Sequence, residues 1–268
     1  MKKIVIAIIA STLTACGGGG SESASTPSTP ITPSTPSTPI TPSTPSTPST
    51  PSTPSTPITP AEVMPIGLWE GEIVSQGITY QVAGLIAPDG DARFIVDSGE
   101  QDKATIVLNG NDFTGDILGY DYDGSLITSG TISGSYSPTS INGSTTVGGD
   151  EISMFSFSVS EQSSDGASLD TVKGNYFTID AQTSLAIDVD GILSGSDTDG
   201  CQYSGNVTVP DSSVNVYKLV LEVSSCGIFD STYTGLAAYA QLFDNSPQKG
   251  LVFQVDNGVY SVTDFIVK

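Results

Sequence analysis

The clearest pattern in this chain is a short alternation of apolar and polar residues that recurs from about residue 62 to residue 268. Alternation over four to eight residues is typical of a β-strand with one face in the core. Three segments show it best, and their apolar positions are Tyr217, Leu219, Leu221 and Val223; Phe155, Phe157 and Val159; and Leu251, Phe253 and Val255. No long stretch of helix formers carries a period near 3.6 residues.

Turn signals separate these segments at intervals close to one strand length. Asp-Gly and Asn-Gly pairs favour the positive φ angles of tight hairpins. The signals are Pro88-Asp89-Gly90-Asp91, Asn109-Gly110, Asp123-Gly124, Asn142-Gly143, Asp190-Gly191, Asp199-Gly200 and Asp256-Asn257-Gly258. We therefore predict an all-β domain over residues 62–268, an antiparallel meander of roughly twelve to fourteen strands that forms a β-sandwich or a β-barrel.

Two similar strand openings raise the question of whether this domain is one sheet system or two β lobes. Gly67-Leu68-Trp69 and Gly174-Asn175-Tyr176 each open a strand, and the halves would be residues 62–160 and 169–268. Glu161 to Ser168 would then connect them. Trp69 is predicted to be a core residue of the first strand. The Gly-x-Trp opening resembles the first strand of lipocalin-like and avidin-like β-barrels.

The N-terminus predicts export and lipid attachment. Lys2 and Lys3 precede an apolar run from Ile4 to Ala10, which is too short to span a bilayer, so residues 1–15 are predicted to be a signal peptide. Leu13-Thr14-Ala15-Cys16 resembles the lipobox of bacterial lipoproteins. That resemblance implies that Cys16 becomes the acylated first residue and binds the membrane through palmitate-like chains, and Gly17 favours the outer membrane. The alternative is an ordinary signal peptide that ends near a cysteine.

A Gly/Ser segment at residues 16–24 leads into a Ser-Thr-Pro repeat at residues 25–60. Proline at every third position favours an extended polyproline II or disordered linker without a core, with a reach of roughly 110 Å. It is either a passive spacer or an O-glycosylated stalk.

Cysteine and histidine content limits the chemistry. Cys201 and Cys226 are predicted to form a disulfide, because an exported protein folds in an oxidising compartment. The chain has no histidine, which excludes His-dependent nucleophilic catalysis and His-ligated zinc or haem. A pair of carboxylates that cleaves glycosides remains as an alternative. We expect no enzyme activity and no cofactor.

The charge is strongly negative, at −21 for the whole chain. Phosphate binding needs clustered Lys and Arg, so nucleic acid is excluded as a partner. Hairpin turns with solvated acids explain the Asp-x-Asp-Gly elements without a metal. If a calcium site exists, its candidates are Asp188, Asp190, Asp197 and Asp199, which come from two of these elements.

Function is predicted only broadly. Tyr120, Tyr122 and Tyr136 are either loop residues that form a contact surface or strand residues. We expect an outer-membrane lipoprotein that displays an acidic β domain at the cell surface and binds a protein, a glycan or a small ligand. The alternative is an envelope accessory lipoprotein that faces the periplasm.

Overall fold

The structure is a computed structural model that describes residues 64–149, 151–241 and 248–268, without the side chain at position 151. The predicted signal peptide, the lipidation site Cys16, the segment 16–24 and the repeat at 25–60 lie outside the described residues. Within the described ranges, no helix has the length and apolar character needed to cross a bilayer.

The first half of the domain is a closed barrel of eight antiparallel strands. Each strand pairs with the next, and β1 closes the barrel by pairing with β8, with Trp69 opposite Val159. The strands are β1 (Gly67–Ser75), β2 (Ile78–Ile86), β3 (Asp91–Val96), β4 (Gln101–Asn109), β5 (Asp112–Tyr120), β6 (Leu126–Tyr136), β7 (Ser140–Val147) and β8 (Glu151–Val159). We call this barrel 1.

The second half repeats this architecture. A 3-10 helix at Glu161–Asp165 and a short helix α1 (Leu169–Val172) connect the two barrels, and β9 pairs with both β10 and β16. The strands are β9 (Gly174–Thr178), β10 (Thr183–Ile187), β11 (Ile192–Asp197), β12 (Gln202–Thr208), β13 (Tyr217–Ser224), β14 (Ser231–Gln241), β15 (Lys249–Asp256) and β16 (Ser261–Val267). We call this barrel 2, and both barrels belong to one compact unit.

The all-β antiparallel meander is therefore confirmed, in the form of two barrels that fall within residues 62–160 and 169–268. Sixteen strands are present in the described residues, more than the alternation alone suggested. The predicted turn at Asn142-Gly143 is wrong, because both residues lie inside β7. A Cβ at Gly143 would lie 2.6 Å from the Phe155 ring, so glycine there leaves room for an aromatic side chain in the barrel.

Both barrels begin in the same way. Trp69 in β1 and Tyr176 in β9 are buried in their barrels, and each side chain donates a hydrogen bond to a carbonyl four residues earlier. The acceptors are Pro65 O at 2.9 Å and Val172 O at 2.6 Å. These bonds fasten the entering segment across one end of each barrel, and in barrel 2 that segment is α1.

The interiors differ in how completely they are filled. Four phenylalanines occupy barrel 1, and three of their pairs are stacked, with centroids 5.1–6.4 Å apart. A cavity among three of these rings has a volume of about 10 Å³, no more than one water molecule needs. The rings are Phe94, Phe113, Phe155 and Phe157.

An apolar seam joins the two barrels. Buried residues from β1 to β3 pack against buried residues from the start of β13 through β16. They are Leu68, Leu85, Ala87, Ile95, Val216, Leu236, Ala238, Ala240, Val252 and Phe265.

A buried ionic group lies at the same interface. Asp256 at the end of β15 accepts hydrogen bonds from Arg93 at 2.5 Å and from Lys103 and Tyr120 at 3.1 Å, all three from barrel 1. The barrels are therefore held in register by both apolar packing and charge.

Candidate functional site

The structure does not bring the four calcium candidates together. Asp188 and Asp190 lie in the turn before β11, whereas Asp197 ends β11 and Asp199 lies in the turn after it. A six-residue strand separates the pairs by roughly 20 Å. Asp188 Oδ1 accepts hydrogen bonds from the backbone N–H groups of Asp190 and Ile192, both at 2.9 Å, as expected for a side chain that stabilises its own turn.

Cys201 and Cys226 form the predicted disulfide, with their Cα atoms 4.8 Å apart. The bond joins the end of the β11–β12 turn to the loop after β13. Asp197 lies beside the two sulfur atoms. Because the sulfurs are bonded to each other, neither is a free thiolate ligand for a metal.

The three tyrosines predicted as contact or strand residues have different positions. Tyr120 is fully buried at the end of β5, where it contacts Asp256. Tyr136 ends β6, half-buried, and its hydroxyl donates to Gly110 O at 3.0 Å. Tyr122 lies in a loop and is 61% exposed, so it is the most exposed of the three.

Tyr122 is part of a cleft of about 530 Å³ at one end of barrel 2. We call it the mouth cleft. Its wall combines the inner rim of barrel 2, the disulfide, the β15–β16 loop and one turn of barrel 1. The lining residues are Gln101, Tyr122, Asp123, Gly124, Asp197, Asp199, Cys201, Tyr203, Leu221, Val223, Ser225, Cys226, Phe229, Tyr233, Tyr260, Ser261, Val262 and Thr263.

Backbone pairing fixes the barrel 1 side of the mouth cleft. Gly124 O accepts from Ser261 N at 2.8 Å, and Val259 O accepts from Leu126 N at 3.0 Å, so the β5–β6 loop pairs with the β15–β16 segment. Gly124 has φ +84°, and a Cβ there would lie 2.2 Å from Ser261 O. Only glycine permits both the conformation and this close approach.

Hydrogen bonds hold two aromatic side chains in the cleft wall. Tyr203 donates to Asp197 Oδ2 at 2.7 Å, and Tyr233 donates to Phe229 O at 3.1 Å. Burial raises the pKa of both tyrosines, and for Tyr203 the hydrogen bond to Asp197 raises it further. Their phenols are therefore neutral at physiological pH. Because both hydroxyls donate hydrogen bonds within the cleft wall, these side chains contact a ligand through their rings.

Two further rings form a corner of the cleft. Phe229 and Tyr260 meet edge to face, with centroids 5.1 Å apart and planes at 69°. This arrangement is favourable for aromatic pairs and presents two ring surfaces at an angle.

The last strands of the two barrels differ at one equivalent position. Phe157 lies opposite Gly71, two residues after Trp69, and Ile266 lies opposite Thr178, two residues after Tyr176. Phe157 and Ile266 are therefore equivalent. Two residues before them lie Phe155 and Asp264, so Asp264 occupies in barrel 2 the position that Phe155 occupies in barrel 1. Alternation directs Asp264 toward the interior of barrel 2. Burial raises its pKa to about 6, a net value to which the hydrogen bond from Phe265 N–H contributes a lowering and the charge of Asp180 a raising.

The mouth cleft is acidic. Asp123, Asp197 and Asp199 line it, and among the described residues no lysine or arginine does. Hydrogen bonds from the side chain and backbone of Ser125 lower the pKa of Asp123, so it is ionised at neutral pH. The arrangement can hold an apolar group against rings and place positive charge near carboxylates.

The sequence reasoning missed most of this site. Phe229, Tyr233 and Tyr260 were not identified, and the chain gives only one signal for them. Phe229 and Tyr260 follow the second disulfide cysteine and the Asp256-Asn257-Gly258 turn, and both loops lie at the same end of barrel 2.

Comparisons with known proteins give no relative. The chain matches no family model, no curated protein and no solved structure.

Proposed function

We propose that this chain is a lipid-anchored envelope protein that binds a small molecule in the mouth cleft. The size of the mouth cleft carries the proposal, since its volume is about 530 Å³ and that of the cavity among the barrel 1 phenylalanines is about 10 Å³. Ligand pockets range from about 300 to 1,000 Å³.

The wall of the cleft favours a small ligand over a protein or glycan partner. The site is concave, a disulfide braces its rim, and backbone pairing between barrels fixes its far side. Such a site is formed before the ligand arrives, which lowers the entropic cost of binding.

The N-terminal sequence supports display at the cell surface. The lipobox-like Leu13-Thr14-Ala15-Cys16 would supply more than one acyl chain, which stable anchoring requires. The Ser-Thr-Pro repeat would provide reach away from the membrane. Protease treatment of intact cells tests this placement. Loss of the domain is expected, whereas survival would favour the periplasm-facing accessory role.

Ligand-observed NMR on the full-length protein tests small-molecule binding. The probes are a panel of monosaccharides, nucleosides, amines and carboxylates. Val262 lines the cleft and is 38% exposed, so Val262→Trp fills the cleft without disturbing the core. The control is Ile192→Trp, which adds the same bulk at a 53% exposed position outside the cleft.

The expected result is that one or more probes bind the parent and the Ile192→Trp protein but not the Val262→Trp protein. Equal binding to both variants would place the ligand elsewhere. Absence of binding across the panel would reject the proposed function.

A further inference from the structure

The cations of the described residues all lie away from the mouth cleft. Arg93 and Lys103 pair with Asp256, and three surface lysines pair with exposed or half-exposed carboxylates. Lys268 donates to Thr171 O at 2.7 Å and lies over two tyrosine rings at 5.2–5.5 Å. The three surface lysines are Lys173, Lys218 and Lys249. A ligand in the cleft therefore meets carboxylates with no compensating positive side chain in the wall.

Four of the seven hydroxyl groups that line the cleft already donate hydrogen bonds within the wall. The hydroxyls of Ser261 and Thr263 both donate to Gln101 Oε1, at 2.8 and 2.7 Å. The hydroxyls of Tyr203 and Tyr233 are committed to the wall. A sugar must exchange many hydrogen bonds with water for hydrogen bonds with its site, and these four hydroxyls are already used as donors.

An inorganic cation also fits poorly. Calcium prefers six to eight oxygen ligands, but Asp197 already accepts two backbone N–H groups on Oδ1 and a phenol on Oδ2. Asp123 uses Oδ1 for Ser125. Aromatic rings supply much of the remaining wall, and they attract a cation through their faces without displacing its ligands.

We infer that the mouth cleft takes an organic cation with an apolar body, such as a quaternary or protonated amine. This inference rests on the proposed function and adds the chemical class of the ligand. The aromatic corner of Phe229 and Tyr260 contacts the apolar part, and the carboxylates of Asp123, Asp197 and Asp199 attract the charge.

NMR titration of the full-length protein with choline and with 3,3-dimethylbutan-1-ol tests the inference. The two molecules have the same shape and hydroxyl, and differ in that a neutral carbon replaces the charged nitrogen. A desolvated cation–π contact and nearby carboxylates predict at least about tenfold tighter binding of choline. The ratio should shrink between about 0.01 M and about 1 M salt, where the Debye length falls from about 30 Å to about 3 Å.

Matched variants locate the effect. Asp199→Asn is expected to weaken choline binding about three- to tenfold and to leave the neutral molecule unchanged. Asp190→Asn is the control, because it makes the same change in an equivalent Asp-x-Asp-Gly turn outside the cleft. Tyr260→Leu is expected to weaken both molecules, and thermal melts of each variant establish that it is folded.

The outcomes separate the inference from the proposed function. Equal affinity for the charged and neutral molecules, or equal effects of Asp199→Asn and Asp190→Asn, would overturn the organic-cation inference and leave small-molecule binding intact. The inference also fails if neither molecule binds. If the wider panel then gives no ligand that Val262→Trp blocks, the proposed function fails as well.

Discussion

Asp256 is the buried carboxylate that joins the two barrels, and its replacement by asparagine tests how much the interface depends on charge. The side chains of Asp256 and Arg93 are each 1% exposed. The asparagine keeps the shape of Asp256 but removes the negative charge that Arg93 and Lys103 share. Arg93 then retains only the partly exposed Asp91, at 3.2 Å, as an ionic partner.

The expected loss is large. Breaking a buried ion pair by removing one partner costs about 3–5 kcal/mol. Domains are stable by only about 5–15 kcal/mol, so the variant should lose a substantial share of its free energy of unfolding. For a domain of this size the midpoint of thermal unfolding should fall by roughly 6–20 °C. Differential scanning calorimetry of the full-length protein measures the fall and reports whether the barrels begin to unfold separately.

Two further variants make the result decisive. Asp165→Asn removes a carboxylate from the surface pair with Lys249, in which both side chains are nearly half exposed, and should cost about 1 kcal/mol or less. Replacing Arg93 by Met together with Asp256 by Leu should recover much of the loss, because the buried charge disappears with its partner. A melting point for Asp256→Asn that matches Asp165→Asn would refute the reasoning.

Three other perturbations have defined outcomes. Gly124→Ala should destabilise the protein more than Gly258→Ala in thermal melts, because both glycines have φ near +84° but only Gly124 lies against Ser261; equal losses would contradict this. Replacing both disulfide cysteines by serine should cost about 3–4 kcal/mol in urea unfolding, and a loss below about 1 kcal/mol would be inconsistent with the closed loop. Asp102→Asn should stabilise the protein increasingly from about pH 4 to pH 7, by at most about 4 kcal/mol, and constantly above pH 7.

The sign of the last prediction follows from the position of Asp102. Burial, together with the charge of Glu100, raises the pKa of Asp102 from 3.8 to about 7. Between these values the folded protein keeps a proton that the unfolded chain has lost, so this carboxyl makes the parent less stable as pH rises. Asparagine removes that penalty. Urea unfolding of parent and variant across the pH range measures it, and a difference independent of pH would exclude the effect.

The sequence predicted strands well where one face meets water. In β13, buried positions alternate with exposed or half-buried ones, as its apolar period indicated. The pattern fails in β3 and β15, where consecutive residues are buried on both faces. Those strands lie between a barrel interior and the other barrel, so both faces are apolar and the two-residue period disappears.

The candidate site was less accessible to sequence reasoning because it combines distant segments. Tyr122 and Tyr260 lie far apart in the chain, and the backbone bridge between Ser125 and Tyr260 brings their loops together. The grouping of the calcium candidates failed for a simpler reason. Turns at the two ends of one strand lie at opposite ends of a barrel, so Asp188 and Asp197 were never neighbours.

The mouth cleft has one wall from each barrel, and this shared construction has a thermodynamic consequence. A ligand that contacts both barrels stabilises their association. Because the coupling free energy is reciprocal, the association of the barrels increases the affinity for the ligand by the same factor. Arg93 does not line the cleft. A substitution there would therefore weaken ligand binding only by changing how the two barrels are positioned. Barrel 2 expressed by itself would lack the four lining residues of barrel 1, and barrel 1 by itself would lack the other fourteen.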